Sequence, residues 1–226
     1  MVSHGNGRSY KCWRWESKKD WSSWIYQIKI LVSSLICSIF TIGNGVGFYL
    51  KRTLTLIRHT KILQGHEGAV YKIHFDQNNG KLCSAGGDGW LVEWDVANSS
   101  DGRLIARVPD QVFALAVTPD RYYLGSFQGN FYALDRETQT ILHQERAHQY
   151  GIFSILAFGD QVWTLGGDGK IITWDGYTFT KKGEFALSNK SLRTHALNPA
   201  GDILAVGASD GSIYLLSFPE LYLKKQ

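Results

Sequence analysis

The sequence is poor in proline, with 4 in 226 residues, and its three cysteines, Cys12, Cys37 and Cys83, are odd in number and far apart. That cysteine usage excludes a disulfide framework and a C-x-x-C metal or redox motif, and reads as thiols in a reducing compartment. Charge of one sign is missing from most of the chain. The net charge of +4 arises in residues 1–50, where Arg8, Lys11, Arg14, Lys18, Lys19 and Lys29 outnumber Glu16 and Asp20. Acids and bases balance over residues 51–226. Such a region lacks the long-range field of a nucleic-acid binder, so no nucleic acid is expected as a partner.

Sites for chemistry are missing as well. There is no G-x-S-x-G nucleophile elbow. Gly43-Asn-Gly-Val-Gly is neither preceded by a clear strand nor followed by an acidic partner, so it is no dinucleotide fingerprint. Lys170 follows a Gly-Gly-Asp-Gly stretch but precedes Ile171, and no glycine stands where a phosphate loop needs one. His143 and His148 are five apart, with no cysteine or carboxylate cluster to complete a metal site. No catalytic residue, metal or cofactor is expected.

What is present is a repeat. Four segments align: GGDGWLVEWD at 86–95, SFQGNFYALD at 126–135, GGDGKIITWD at 166–175 and ASDGSIYLLS at 208–217. The shared glycines Gly89, Gly129, Gly169 and Gly211 recur with a period near 40, and five residues later comes Trp94, Leu134, Trp174 or Leu216. A period in this range marks stacked supersecondary units. Each copy reads as four short strands with alternating apolar positions, in blades over about 69–108, 112–146, 152–187 and 191–225. Asp-Gly in the turn tolerates the positive φ of a tight hairpin. A lone four-stranded sheet cannot bury both faces; stacking such sheets about an axis lets each cover the next.

From about residue 53 to 226 the chain resembles the WD-repeat propeller family. The resemblance implies an all-β fold, a β-propeller of four-stranded antiparallel blades. It also implies a buried polar tetrad in two copies: His66, Ser84, Asp88 and Trp94 in the first, and His148, Thr164, Asp168 and Trp174 in the third. The indole N–H only donates and the carboxylate only accepts, so hydroxyl and imidazole can relay between them. The second and fourth copies depart from the pattern, with Gln128 and Leu134, and with Val206 and Leu216. They are expected to rely on apolar packing.

In this family each repeat opens with the outer strand of the preceding blade, and 53–64 looks like such a strand without its blade. Four blades and an orphan strand fit a truncated propeller, one completed by a second copy, or a small closed ring.

Residues 1–50 stand outside the repeat. Four of the eight tryptophans lie between residues 10 and 24, and 30–50 is uncharged and bounded by Lys29, Lys51 and Arg52. This stretch is a candidate hydrophobic helix acting as membrane span or signal anchor. An upstream translation start and a packed segment are the alternatives.

The expected function is a non-catalytic protein-interaction scaffold, cytoplasmic or tethered to a membrane through 30–50, with other proteins as partners. Trp90, Phe127, Tyr150 and Arg193, near strand ends on one rim, are the candidate interaction surface, being of the types that dominate interface hot spots. The rival reading, a propeller enzyme with a site in the central channel, needs converging carboxylates or histidines at the inner-strand starts, which instead read Ala69-Val70-Tyr71, Val112-Phe113-Ala114, Gly151-Ile152-Phe153 and Ser191-Leu192-Arg193.

Overall fold

The computed structural model describes residues 61–77 and 79–221, together with the backbone of 37–42 and 45–50. The chain divides into two compact units, residues 1–60 and 61–226. In the first, β1 (Cys37–Ile42) and β2 (Gly45–Leu50) form an antiparallel hairpin in which Ile42 pairs with Gly45. The expected helix over 30–50 is therefore corrected at these residues. β-Branched and aromatic residues such as Ile39, Thr41, Phe48 and Tyr49 favour strands, and Gly43, Gly45 and Gly47 weaken a helix. Among the described residues no helix is long and apolar enough to cross a membrane. The rest of the Trp-rich 1–50 segment lies outside the described residues.

The second unit is a succession of antiparallel sheets, one per repeat. Sheet 1 contains β3 (Val70–Asp76), β4 (Lys81–Gly86), β5 (Trp90–Trp94) and β6 (Gly102–Arg107). Sheet 2 contains β7 (Val112–Val117), β8 (Arg121–Ser126), β9 (Asn130–Asp135) and β10 (Ile141–Arg146). Sheet 3 contains β11 (Ile152–Phe158), β12 (Gln161–Gly166), β13 (Lys170–Asp175) and β14 (Lys181–Ala186). Sheet 4 contains β15 (Leu192–Leu197), β16 (Ile203–Ala208) and β17 (Ile213–Ser217). Strands pair in chain order within every sheet. Of the strand expected over 221–225, all but Leu221 lies outside the described residues. So does most of the strand expected over 53–64, and residues 61–64 carry no strand.

Inner strands lie side by side, β3 against β7, β7 against β11 and β11 against β15. The period-2 alternation of strand side chains gives each sheet a trailing face turned to the next sheet and a leading face turned to the one before. Cys83, Ala85 and Leu91 on the trailing face of sheet 1 meet Leu115, Tyr122, Leu124 and Leu134 on the leading face of sheet 2. Tyr123, Phe131 and Ala133 then meet Ile155, Val162, Ile172 and Trp174 of sheet 3. Trp163, Leu165 and Ile171 in turn meet Leu204, Val206 and Leu216 of sheet 4. Each large apolar side chain removed from water here contributes about 1.5–3 kcal/mol. The all-β propeller-blade arrangement follows from this stacking.

The turn joining the second and third strands of a sheet also ties it to the loop that leaves for the next. Gly89 has φ +75°, and a side chain there would collide with the Val108 carbonyl. Close approach lets the Val108 amide donate to the Gly89 carbonyl at 2.9 Å. Gly129 and Gly169 accept equivalent bonds from Ala147 and Leu187.

Candidate functional site

The polar residues named from the sequence come together in sheets 1 and 3. Trp94 Nε1 donates to Ser84 Oγ at 2.8 Å, Ser84 Oγ lies 2.7 Å from His66 Nε2, and His66 Nδ1 lies 2.8 Å from Asp88 Oδ2. In sheet 3 the same chain runs from Trp174 Nε1 to Thr164 Oγ1 at 3.0 Å, on to His148 Nε2 at 2.8 Å, and from His148 Nδ1 to Asp168 Oδ1 at 2.9 Å. Burial opposes the charge on Asp168. The hydrogen bond and charge of His148 and the amides of Gln149 and Lys170 outweigh it, holding the carboxyl below its ordinary range. An ionised Asp168 only accepts, so Nδ1 of His148 donates to it, and the threonine hydroxyl lies between the Trp174 N–H and Nε2 of His148. Each of these four side chains is hydrogen-bonded to the next, which suits a structural core.

Sheets 2 and 4 are not held by apolar packing alone. In sheet 2, Asp110 Oδ2 accepts from Asn130 Nδ2 at 2.6 Å, Tyr132 OH at 3.0 Å and Ser126 Oγ at 3.2 Å. In sheet 4, Asp210 Oδ2 accepts from Ser188 Oγ and Tyr214 OH, each at 3.3 Å. The sequence signal was a tyrosine three residues after the shared glycine in the two copies that lack tryptophan. It was missed because the carboxylates it reaches sit in different loops.

Four β-bulges build the rim. In β3 the register slips between Val70 and Lys72, in β7 between Val112 and Ala114, in β11 between Ile152 and Ser154, and in β15 between Leu192 and Thr194. The extra residues are Tyr71, Phe113, Phe153 and Arg193. A bulge re-aims its side chain out of the ladder, and these four meet one another. Tyr71 stacks on Phe113 with ring centroids 4.2 Å apart, and Phe113 lies 5.8 Å from Phe153. The Arg193 guanidinium sits 3.9 Å from the Phe153 ring centre.

Three of the four expected surface residues belong here. Phe127 lies 5.5 Å from Phe113, and Phe127, Tyr150 and Phe153 line an open depression of about 420 Å³. Phe127 and Tyr150 are 51% and 58% exposed. Trp90 is not in this group: it packs near His66, with the Arg107 guanidinium 5.8 Å from its ring centre. Tyr71, Phe113 and Phe153 were not singled out beforehand, because a bulge is a register event that alternation along one strand does not reveal.

Ser154 Oγ and His195 Nδ1 are 2.6 Å apart across sheets 3 and 4. Ser154 is buried, and burial followed by the nearby Lys72 charge lowers the His195 pKa. The pair reads as a cross-sheet hydrogen bond. His143 lies between the Phe131 and Phe179 rings, apart from the engaged His148. No group of three or more candidate metal ligands occurs among the described residues.

A family model described as "WD domain, G-beta repeat" matches residues 57–95. The chain is 26% identical over 168 residues to a guanine nucleotide-binding protein subunit beta of Dictyostelium discoideum, covering 71% of this chain and 45% of that protein. It is also 26% identical over 163 residues to the G(I)/G(S)/G(T) subunit beta-1 of Homarus americanus, covering 69% and 48%. The chain thus spans about half the length of these curated relatives. Among solved structures, the computationally designed Ika8 protein aligns with TM-score 0.61 at 20% identity, over 72% of this chain and 50% of that one. The designed Ika4 protein aligns with TM-score 0.58 at 22% identity, over 69% of this chain and 95% of that one. At these identities the structural likeness concerns the fold.

Proposed function

Because this chain is a WD-repeat protein, we propose that it serves as a non-catalytic scaffold, holding a protein partner against the rim formed by Tyr71, Phe113, Phe127, Tyr150, Phe153 and Arg193. The observation that carries this reading is the row of aromatic rings that the bulges bring together, ending in the Arg193 guanidinium. Aromatic and arginine side chains are the groups from which interface hot spots are made, and a shallow apolar depression suits an inserted side chain better than a reaction centre. The curated relatives are named as subunits of a guanine nucleotide-binding protein, which agrees with a role inside an assembly. A cytoplasmic setting belongs to the same reading and is supported by the buried, free thiol of Cys83.

The test is affinity capture from the native cell with the wild-type chain and with a Phe127→Ala, Tyr150→Ala, Arg193→Glu variant. Proteins retained by the first and lost from the second support the rim as the binding site. An identical set captured by both rules it out.

A further inference from the structure

Arg136 and Gly176 hold the same place in sheets 2 and 3. Each follows the aspartate that ends the third strand, Asp135 in one sheet and Asp175 in the other. The Arg136 amide donates to the Asp120 carbonyl at 3.1 Å, and the Gly176 amide to the Asp160 carbonyl at 2.8 Å. Between sheets 1 and 2 the Arg136 side chain fills the junction, reaching the Asp76 carboxylate and the Thr118 carbonyl and lying over the Tyr122 ring. Asp76 and Thr118 stand five residues after the bulged Tyr71 and Phe113, and Phe158 stands five after Phe153. The counterparts of Asp76 and Thr118 at the next junction are therefore Thr118 and Phe158. Gly176 brings no side chain to that junction, and a pocket of about 450 Å³ opens there, with Thr118, Phe158 and Gly176 in its wall.

We propose that this pocket docks a partner protein by taking one of its arginine side chains, which supplies from outside the group that Arg136 supplies from within the chain. Charge complementarity carries the argument. Asp120 and Asp160 line the pocket, and no lysine or arginine stands among its lining residues. The Asp160 carboxylate has no hydrogen bond or ion pair among the described residues. Asp120 lies 3.5 Å from the Arg121 guanidinium, which is nearer to Asp135 at 3.0 Å, and the Asp120 side chain is 53% exposed. Beside the carboxylates stand two open rings, Phe158 at 47% and Tyr177 at 60% exposure. A guanidinium suits both features. Its flat face stacks on a ring while its forked N–H groups pair with a carboxylate, whereas an ammonium is a point charge. Tyr123 also lines the pocket; it is buried and its hydroxyl donates to the Gly176 carbonyl at 3.1 Å, tying sheets 2 and 3 together at the site. The pocket follows the ends of β7 and β11, whereas the bulged rim lies at their starts, so an occupant here is separate from the rim's partner.

The probe is the end-capped peptide Gly-Ser-Arg-Ser-Gly, titrated into the full 226-residue chain and followed by two-dimensional NMR. The amide signals of Asp160, Gly176 and Tyr177 should shift, with a Kd of about 1 mM for a single anchored side chain. Replacing the peptide's arginine by citrulline, which keeps the shape and loses the charge, or by lysine should weaken binding about tenfold. Asp160→Asn and Tyr177→Ala change exposed side chains and should each weaken binding about fivefold while the rest of the spectrum is kept. Gly176→Arg provides the side chain from the chain itself and should abolish the response to the peptide. If it unfolds, because a Cβ at Gly176 comes 3.1 Å from the Asp160 carbonyl oxygen, the other two variants decide. No shift of these amides at about 20 mM peptide, well above that Kd, overturns the proposal. So does equal binding of the citrulline or lysine peptide, or a Kd unchanged in both exposed variants. A response to free arginine without one to the capped peptide overturns it as well.

Discussion

The indole of Trp174 and the hydroxyl of Thr164, ten residues apart on adjacent strands of one sheet, form a 3.0 Å hydrogen bond sealed from water by the sheet before them. The hydroxyl stands between two groups that have no other partner for the atoms concerned. Thr164→Val is therefore expected to leave the Trp174 N–H and His148 Nε2 unsatisfied, at a cost of about 1–3 kcal/mol. Adding Trp174→Leu reproduces the Val206 and Leu216 pairing of sheet 4 and removes the stranded indole donor, while also losing buried ring area. Denaturant unfolding of both single variants and the double variant should give a double-mutant coupling well above the 0.5 kcal/mol of independent sites.

Arg136 belongs to sheet 2 and ties it to sheet 1. Its guanidinium donates to Asp76 Oδ2 at 2.8 Å and to the Thr118 carbonyl at 2.7 Å, and lies 5.0 Å from the Tyr122 ring centre. Asp76 is buried, and removing one partner of a buried ion pair is costly because the other charge remains. Arg136→Ala should lower unfolding free energy by about 3–5 kcal/mol. Arg136→Lys should recover only part of it, since an ammonium cannot keep the planar contact with the ring. Urea midpoints at constant slope measure both.

Acid should loosen sheet 3 through two carboxylates with different salt dependence. Asp168 is held below its ordinary range despite burial, as argued above. A carboxyl depressed in the folded state contributes stability above its unfolded pKa of about 3.9, which is lost as pH falls through the folded value. Hydrogen bonds from Lys170, then Lys181, hold Glu184 down to about 2. It loses its contribution in the same direction, but it is partly exposed and screened by salt. Melting temperatures between pH 6 and 2 should fall less steeply in Asp168→Asn than in the wild type. Added salt should flatten the Glu184 share and leave that of Asp168.

Cys83 lies fully buried on the trailing face of sheet 1, and burial, reinforced by the Glu93 charge, pushes its thiol up to about 11. Thiolate is the reactive form. Peptide mapping after brief alkylation at pH 8 should find Cys83 unmodified in the native protein and fully modified in denaturant.

Much of the framework was legible without coordinates. The recurring glycine and the tryptophan or leucine five residues beyond it mark the third strand of each sheet, because the turn needs a positive φ and the strand end buries a large apolar side chain. The partners of both polar chains could be named through the resemblance to the WD-repeat family: the hydroxyl and the tryptophan keep one offset in copies 1 and 3, while the histidine stands 22 residues before the aspartate in one and 20 in the other. The Tyr132 and Asp110 contact was not legible, since those residues lie 22 apart in chain positions that the repeat does not equate. Nor was the departure from a helix at 37–42 and 45–50, where local apolar composition allows either form and strand pairing selects one.

By itself, then, the sequence determined the repeat and its four short strands, because these depend on period and residue type within one unit, and the family resemblance the repeat carries implied the all-β propeller class and the two tryptophan-centred cores. Tertiary structure decided which rings meet on the rim and where the pocket between sheets 2 and 3 opens. Those properties depend on strand register and on the neighbour across each sheet, and a one-residue slip at a bulge turns Phe113, Phe153 and Arg193 from ladder positions into a contiguous surface.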